Sequence, residues 1–233
     1  MGSGDGEGLP GGGAFRLCLN NDKITGSHWK MELQKEEMLS VPVDGSVTIQ
    51  WHNGPIPIEK PAVLDACIDL LFDNSPARIK QLRELSIPLV VINSVITTLD
   101  ELGDDFIRMN GWNSFIKRQL VEASGKDDTR KRLTERLFSH LGRTVEWTPD
   151  IPGFVSARVI ATIINEAFLT VEEKVSVEKE IDTAMKLGTN YPYGPFEWGE
   201  KIGFNKVVYL LEVLEKEQNR YKPSPLLKNK ILV

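Results

Sequence analysis

Apolar and polar positions alternate along Phe15–Asn20 and again along Ser46–Trp51, the two-residue period of half-buried strands. Two longer apolar runs, Val63–Phe72 and Pro88–Asn93, show little alternation and predict parallel strands buried on both faces. Between them, Asn74-Ser75-Pro76 reads as a helix start. It offers a side chain able to cap, then a proline whose missing N–H costs nothing in a first turn. That helix is expected to reach Leu85. Short strands are predicted at Ile107–Asn110, Leu120–Glu122 and Thr144–Trp147, with an amphipathic helix over Thr129–Leu141 stopped at Gly142. Lys23–Leu39 follows neither period and is left unassigned.

Past Pro152 the period becomes helical. Helices are expected at Val155–Glu173, at Val177–Leu187 capped by Ser176 and ended by Gly188, at Pro195–Ile202 and at Phe204–Glu217. Val207, Val208, Leu211 and Leu214 share one face of the last. The chain therefore divides into a glycine-rich leader over 1–14, an α/β layer over 15–150 and an all-helical part over 151–233.

Composition narrows the function. The 233 residues are 41% hydrophobic and 26% charged, with net charge -5, enough to bury a core and without a basic tract. Nucleic acid is not an expected partner. Neither is a membrane, because no apolar run is long enough to span one. Cys18 and Cys67 sit in apolar surroundings without a CxxC spacing, which argues against a disulfide framework or a zinc site and for a cytoplasmic setting. Gly6-Glu7-Gly8-Leu9-Pro10-Gly11 fits G-x-G-x-x-G literally. A dinucleotide loop must follow a strand and open a helix, whereas this segment precedes the first predicted strand, so it reads as a flexible leader.

Several motifs occur in a consistent order. They are Pro152-Gly153-Phe154-Val155 with Arg158, Asn165-Glu166-Ala167, Glu180–Gly188, Tyr191-Pro192-Tyr193-Gly194-Pro195-Phe196-Glu197 and Pro223-Ser224-Pro225-Leu226. Together they resemble the C-terminal domain of the 3-hydroxyacyl-CoA dehydrogenases, most closely the 3-hydroxybutyryl-CoA type. Upstream, Leu64–Asp69, Asn93-Ser94, Phe106–Asn113 and Leu120-Val121-Glu122 resemble the second half of that family's Rossmann domain. The Phe106–Asn113 segment follows the pattern R-F-x-G-x-H-F-F-N-P. No counterpart of the family's opening strand, phosphate loop and first helix is recognised. The resemblance implies a reduced Rossmann-like sheet domain followed by a helical dimerisation and substrate-covering domain.

The family oxidises 3-hydroxyacyl-CoA by passing hydride to NAD. A histidine moves the hydroxyl proton, a glutamate orients it, and a serine and an asparagine polarise the substrate oxygen. By the resemblance, these positions fall on Asn110, Glu122, Val95 and Ala157. A carboxamide takes up no proton near neutrality, so only the glutamate keeps its type. Asn113, followed by Ser114 where the family has proline, and Asn93 are expected to border the substrate. Glu122 reads either as a solvated strand-end carboxylate or as a buried acid bonded to Asn110. Asn110-Gly111 also reads as a turn. His28, His52 and His140 offer no obvious replacement base, and no metal is expected.

The main expectation is a catalytically impaired relative that binds acyl-CoA or a partner, with no cofactor. The alternatives are an active NAD-dependent dehydrogenase with a relocated base, His52 for example, and a homodimeric interaction module. For the homodimer, the resemblance is joined by the apolar face of Phe204–Leu214, which could equally pack within one subunit.

Overall fold

A seven-stranded sheet organises the computed structural model, which describes the backbone of residues 15–20 and 47–52 and, in full, Met38 and residues 65–231. Strand β1 (Phe15–Asn20) lies between β2 (Val47–His52) and β3 (Ala66–Asp69). The order continues through β4 (Leu89–Asn93), β5 (Ile107–Met109), β6 (Leu120–Ser124) and β7 (Thr144–Trp147). All neighbours are parallel except β5 with β6.

Strand order reverses about β1. The chain steps outward to β2, then returns to lay β3 on the other flank, as at the switch point of a doubly wound sheet. This corrects the expectation that the opening strand has no counterpart: β1 occupies its topological place. That strand is usually read from the glycine loop after it, and Asn21–Gly26 contains a single glycine. The leader 1–14, His28 and the unassigned stretch Lys23–Leu39, apart from Met38, lie outside the described residues.

Alternate residues of the central strands feed opposite faces. Ala66, Ile68, Val91, Ile107 and Met109 cluster with Leu137 and Phe138 of a helix, here α3 (Asp128–His140). Cys67, Val90 and Ile92 cluster with Leu82 of α1 (Pro76–Glu84) and with Leu99 and Leu102 of α2 (Leu99–Leu102). Ser75 caps α1 by accepting from the Arg78 N–H, as its sequence suggests.

The chain continues as α4 (Ser156–Glu172), α5 (Glu178–Thr189), α6 (Pro195–Ile202), α7 (Phe204–Glu215), a 3-10 turn (Asn219–Tyr221) and α8 (Pro225–Asn229). Their core takes in Val95, Trp112 and Phe115 from loops at the sheet's edge. Two helix-end readings change. Helix α5 runs through Gly188 to a left-handed Asn190 with φ 55°, a conformation asparagine tolerates. Its N-cap is Val177, while the Ser176 hydroxyl donates to Glu180. The face of α7 considered for a partner is buried within this chain at Val207, Val208, Leu211 and Leu214. Helices α2 and α8 were not anticipated, although Thr98–Glu101 and Ser224-Pro225 are helix-start patterns.

One buried cation joins the sheet to the helices. Arg108 of β5 donates Nε to the Ser94 carbonyl at 3.0 Å and Nη1 to Asp150 Oδ1 at 2.6 Å. Its Nη2 donates to the carbonyls of Val95 and Ile151, each at 3.1 Å. The guanidinium lies 4.4 Å from the ring centre of Phe154. Burial pushes its pKa down, against the pull of Asp150. An arginine nonetheless stays charged, so its partners must be supplied by the fold. Two of them, Asp150 and Ile151, lead into the Pro152-Gly153-Phe154 turn, where Gly153 adopts φ 86° and its N–H donates to the Val95 carbonyl at 2.8 Å. Arg108→Ala strands Asp150 and these carbonyls. It should lower the unfolding free energy in a urea titration by about 3–5 kcal/mol.

Candidate functional site

Strands β3 and β4 end at a cleft of about 320 Å³, beside the sheet's switch point. Leu70–Asn74 and Asn93–Thr97 line it from the sheet, with Trp112 after β5 and Lys206 from α7. The first loop is shaped from within. Asp69 accepts the Leu71 N–H at 3.2 Å and Arg78 Nε at 2.7 Å, and burial raises its pKa against the opposing pull of that arginine. Asn74, at φ 66°, donates Nδ2 to Thr97 Oγ1 at 2.7 Å and so ties the two lining loops together.

Asn93 is committed to backbone. Its Nδ2 donates to the carbonyls of Leu70 at 2.8 Å and Gly111 at 3.0 Å, and its Oδ1 accepts the Gly111 N–H at 3.0 Å. Three strand ends are thereby stitched together at the floor of the cleft. The contact needs glycine: a Cβ on Gly111 would fall 2.6 Å from Asn93 Cγ. Gly111 thus serves close approach rather than the turn that Asn110-Gly111 also suggested.

Asn110 and Glu122 meet, both buried. Asn110 Nδ2 donates to Glu122 Oε2 at 2.8 Å, and the backbones pair through Asn110 N–H to the Glu122 carbonyl at 3.0 Å. The other oxygen, Oε1, accepts the Ser156 N–H at 2.9 Å, in the first turn of α4, where the helix dipole favours an anion. Of the two readings of Glu122, the buried acid bonded to Asn110 is the one the fold adopts. Asn110 Oδ1 accepts the Trp112 N–H over 3.4 Å. The amide is therefore oriented, nitrogen toward the carboxylate and oxygen toward backbone.

The remaining predicted positions are apolar or differently shaped. Val95 is 3% exposed and Ala157 fully buried, in one hydrophobic cluster with Trp112 and Phe115. Of the predicted positions, Asn93 and Val95 line the cleft, while Asn110, Asn113, Glu122 and Ala157 do not. Ser114 adopts φ 75°, which a proline ring locked near -65° cannot reach. The loop after Asn113 therefore takes a path closed to the Asn-Pro pair of the resembled pattern.

His140 ends α3 and His52 ends β2. Five strand steps of about 4.8 Å separate β2 from β6, so His52 stands roughly 24 Å across the sheet from Glu122. Among the described residues, no group of three or more His, Cys, Asp or Glu could hold a metal ion.

Arg108, Trp112, Arg118 and Lys206 were not singled out from sequence. Arg108 had a signal: a lone cation inside the apolar strand Phe106–Met109, at the glycine of R-F-x-G-x-H. Trp112 and Lys206 carry none, since their meeting at the cleft is tertiary.

Comparison with known proteins gives an independent view. Residues 153–232 match the family model described as 3-hydroxyacyl-CoA dehydrogenase, C-terminal domain. The chain is 35% identical over 152 residues to a probable 3-hydroxybutyryl-CoA dehydrogenase of Deinococcus radiodurans, covering 63% of this chain and 53% of that one. It is 38% identical over 116 residues to a 3-hydroxyadipyl-CoA dehydrogenase of Escherichia coli, covering 49% of this chain and 24% of that one. The chain thus spans between about a quarter and a half of these curated relatives. The crystal structure of (S)-3-hydroxybutyryl-CoA dehydrogenase from Ralstonia eutropha superposes with TM-score 0.71 over 93% of both chains at 21% identity, a likeness of fold.

Glu122→Ala should cost about 1–3 kcal/mol by leaving the Asn110 amide and the Ser156 N–H without their acceptor. Hydrogen exchange at the Ser156 amide should accelerate, while exchange in β3 and β4 should hold.

Proposed function

We propose that this chain, a relative of the 3-hydroxyacyl-CoA dehydrogenases, keeps the family's scaffold and a cleft for an acyl-CoA but has lost hydroxyacyl oxidation. One observation carries the reading. The Asn110 amide, at the position the resemblance gives to the proton-moving histidine, is spent on Glu122. The carboxylate that would orient an imidazole instead receives an amide N–H and the N–H of Ser156. No proton can be relayed along that pair near neutral pH.

Two further features support it. Val95 and Ala157 stand where the resemblance puts the serine and asparagine that polarise the substrate oxygen, and both are packed into core. A dinucleotide pyrophosphate needs close backbone approach at the turn after the first strand. The sequence that follows strand β1, Asn21–Gly26, holds a single glycine, fewer than a G-x-G-x-x-G loop carries.

The activity of the whole relatives cannot simply be carried across, since this chain covers only part of their length. A homodimer through helical residues 151–233, with the sheet residues 15–150 as a separate domain, is part of the proposal on family grounds, and a cytoplasmic setting is part of it on the cysteine usage. Among the described residues, no helix is long and apolar enough to cross a membrane. The competing reading, an active enzyme with a relocated base, needs an imidazole beside Glu122, and His52 is a sheet's width away.

NADH oxidation with acetoacetyl-CoA tests the proposal. Loss of a general base alone costs about 10²–10⁴-fold. The purified chain should show no turnover above background, and Asn110→His alone should not restore it, because Val95 and Ala157 still offer no polar group. Saturable NADH binding with acetoacetyl-CoA-dependent turnover would overturn the reading.

A further inference from the structure

Two lysines converge on one tyrosine, Tyr193. Lys117 Nζ donates to the Tyr193 hydroxyl at 2.5 Å and lies 4.7 Å from the ring centre. Lys201 Nζ lies 4.6 Å from the same centre. The two ammonium nitrogens are therefore no more than about 9.3 Å apart. Lys117 belongs to the loop between β5 and β6, and Lys201 to α6, so the pair spans the sheet and helical parts.

The neighbouring charges do not cancel them. Among the described residues, neither lysine has a carboxylate oxygen within ion-pair distance. Glu197, which senses the charge of Lys201, is bonded to Lys186 and caps Gly194. Asp182 is turned to the Phe196 N–H, and burial raises its pKa. Next to Lys117, Arg118 donates Nη1 to the Ser156 hydroxyl at 3.1 Å and lies 4.4 Å from the ring centre of Phe115. Burial pushes its guanidinium down, and Glu122, which counters it, is occupied by Asn110 and Ser156.

A chain of net charge -5 thus gathers three cations where like charges repel. Each keeps donors to spare: an ammonium has three N–H groups and a guanidinium five. Aromatic faces adjoin them, with Tyr191 and Tyr193 packed edge-on against Trp198 at 5.4 and 6.1 Å. The same loop lines the cleft at Trp112.

We propose that Lys117 and Lys201, gathered around Tyr193, with Arg118 next to Lys117 in the chain, form a binding site for the phosphate groups of a phosphorylated ligand. Its identification with the phosphates of a coenzyme A thioester rests on the acyl-CoA reading above; the anion site itself does not.

Calorimetry on the full chain at low salt with inorganic pyrophosphate tests the site, with CoA and phosphate-free pantetheine as further arms. Pyrophosphate should bind saturably to the wild type and at least 10-fold more weakly to Lys117→Gln/Lys201→Gln, with circular dichroism unchanged. CoA should bind more tightly than pantetheine and lose that advantage in the double variant. Absence of saturable pyrophosphate binding, or pyrophosphate or CoA binding unaffected by the double substitution, overturns the site. Pyrophosphate binding lost in the variant, with no CoA binding to the wild type, upholds the site and removes the acyl-CoA reading.

Discussion

The Glu122 carboxylate is the point at which strand, loop and helix are held together. One oxygen takes the Asn110 amide and the other the N–H of Ser156. A buried carboxylate requires donors of this kind, because desolvation without them costs several kcal/mol. The fold can supply a fixed amide at lower risk than an ionisable ring, since an amide carries no charge to desolvate. On the reading proposed above, the same geometry that satisfies Glu122 leaves an amide where the resemblance puts the proton acceptor.

Around that point, the residues that mark ancestry are largely architectural. Asn165 of α4 donates to the Lys222 carbonyl and accepts the Ser224 N–H, while Glu172 accepts the Ser224 hydroxyl. The Pro223-Ser224-Pro225 segment is thus pinned to α4. Asp182 accepts the Phe196 N–H, and a Cβ on Gly194 would come within 2.2 Å of its carboxylate oxygen. Glu197 closes the same turn by accepting the Gly194 N–H. Such contacts are judged by whether the helices pack, so they are independent of the chemistry at the cleft.

The fold was legible wherever local physics decides it. The two-residue period located β1 and β2, and proline after a capping serine located α1, because alternation and capping are short-range. Gly188 misled, since an exposed glycine can stay helical when Asn190 two residues on adopts the left-handed turn. At the site, the family resemblance pairs Asn110 with Glu122, and the antiparallel pairing of β5 with β6 joins them. What spacing could not show was that Asn113 and Ala157 fall outside the cleft, or that Trp112 and Lys206 reach it. Those depend on how the helices close over the strand ends, a matter of long-range packing.

Amide NMR of the Asn110 side chain probes the neighbourhood of Glu122 without assuming any substrate. A carboxamide locked on a carboxylate should give two resolved, slowly exchanging protons whose positions hold between about pH 5.5 and 8.5, the range in which an unperturbed imidazole with pKa about 6.5 would titrate. A pair of resonances that moves through a midpoint in that range, or that exchanges as fast as a solvent-exposed asparagine, would mean that an ionisable ring or open water stands beside Glu122. Either result would contradict a site that holds no mobile proton.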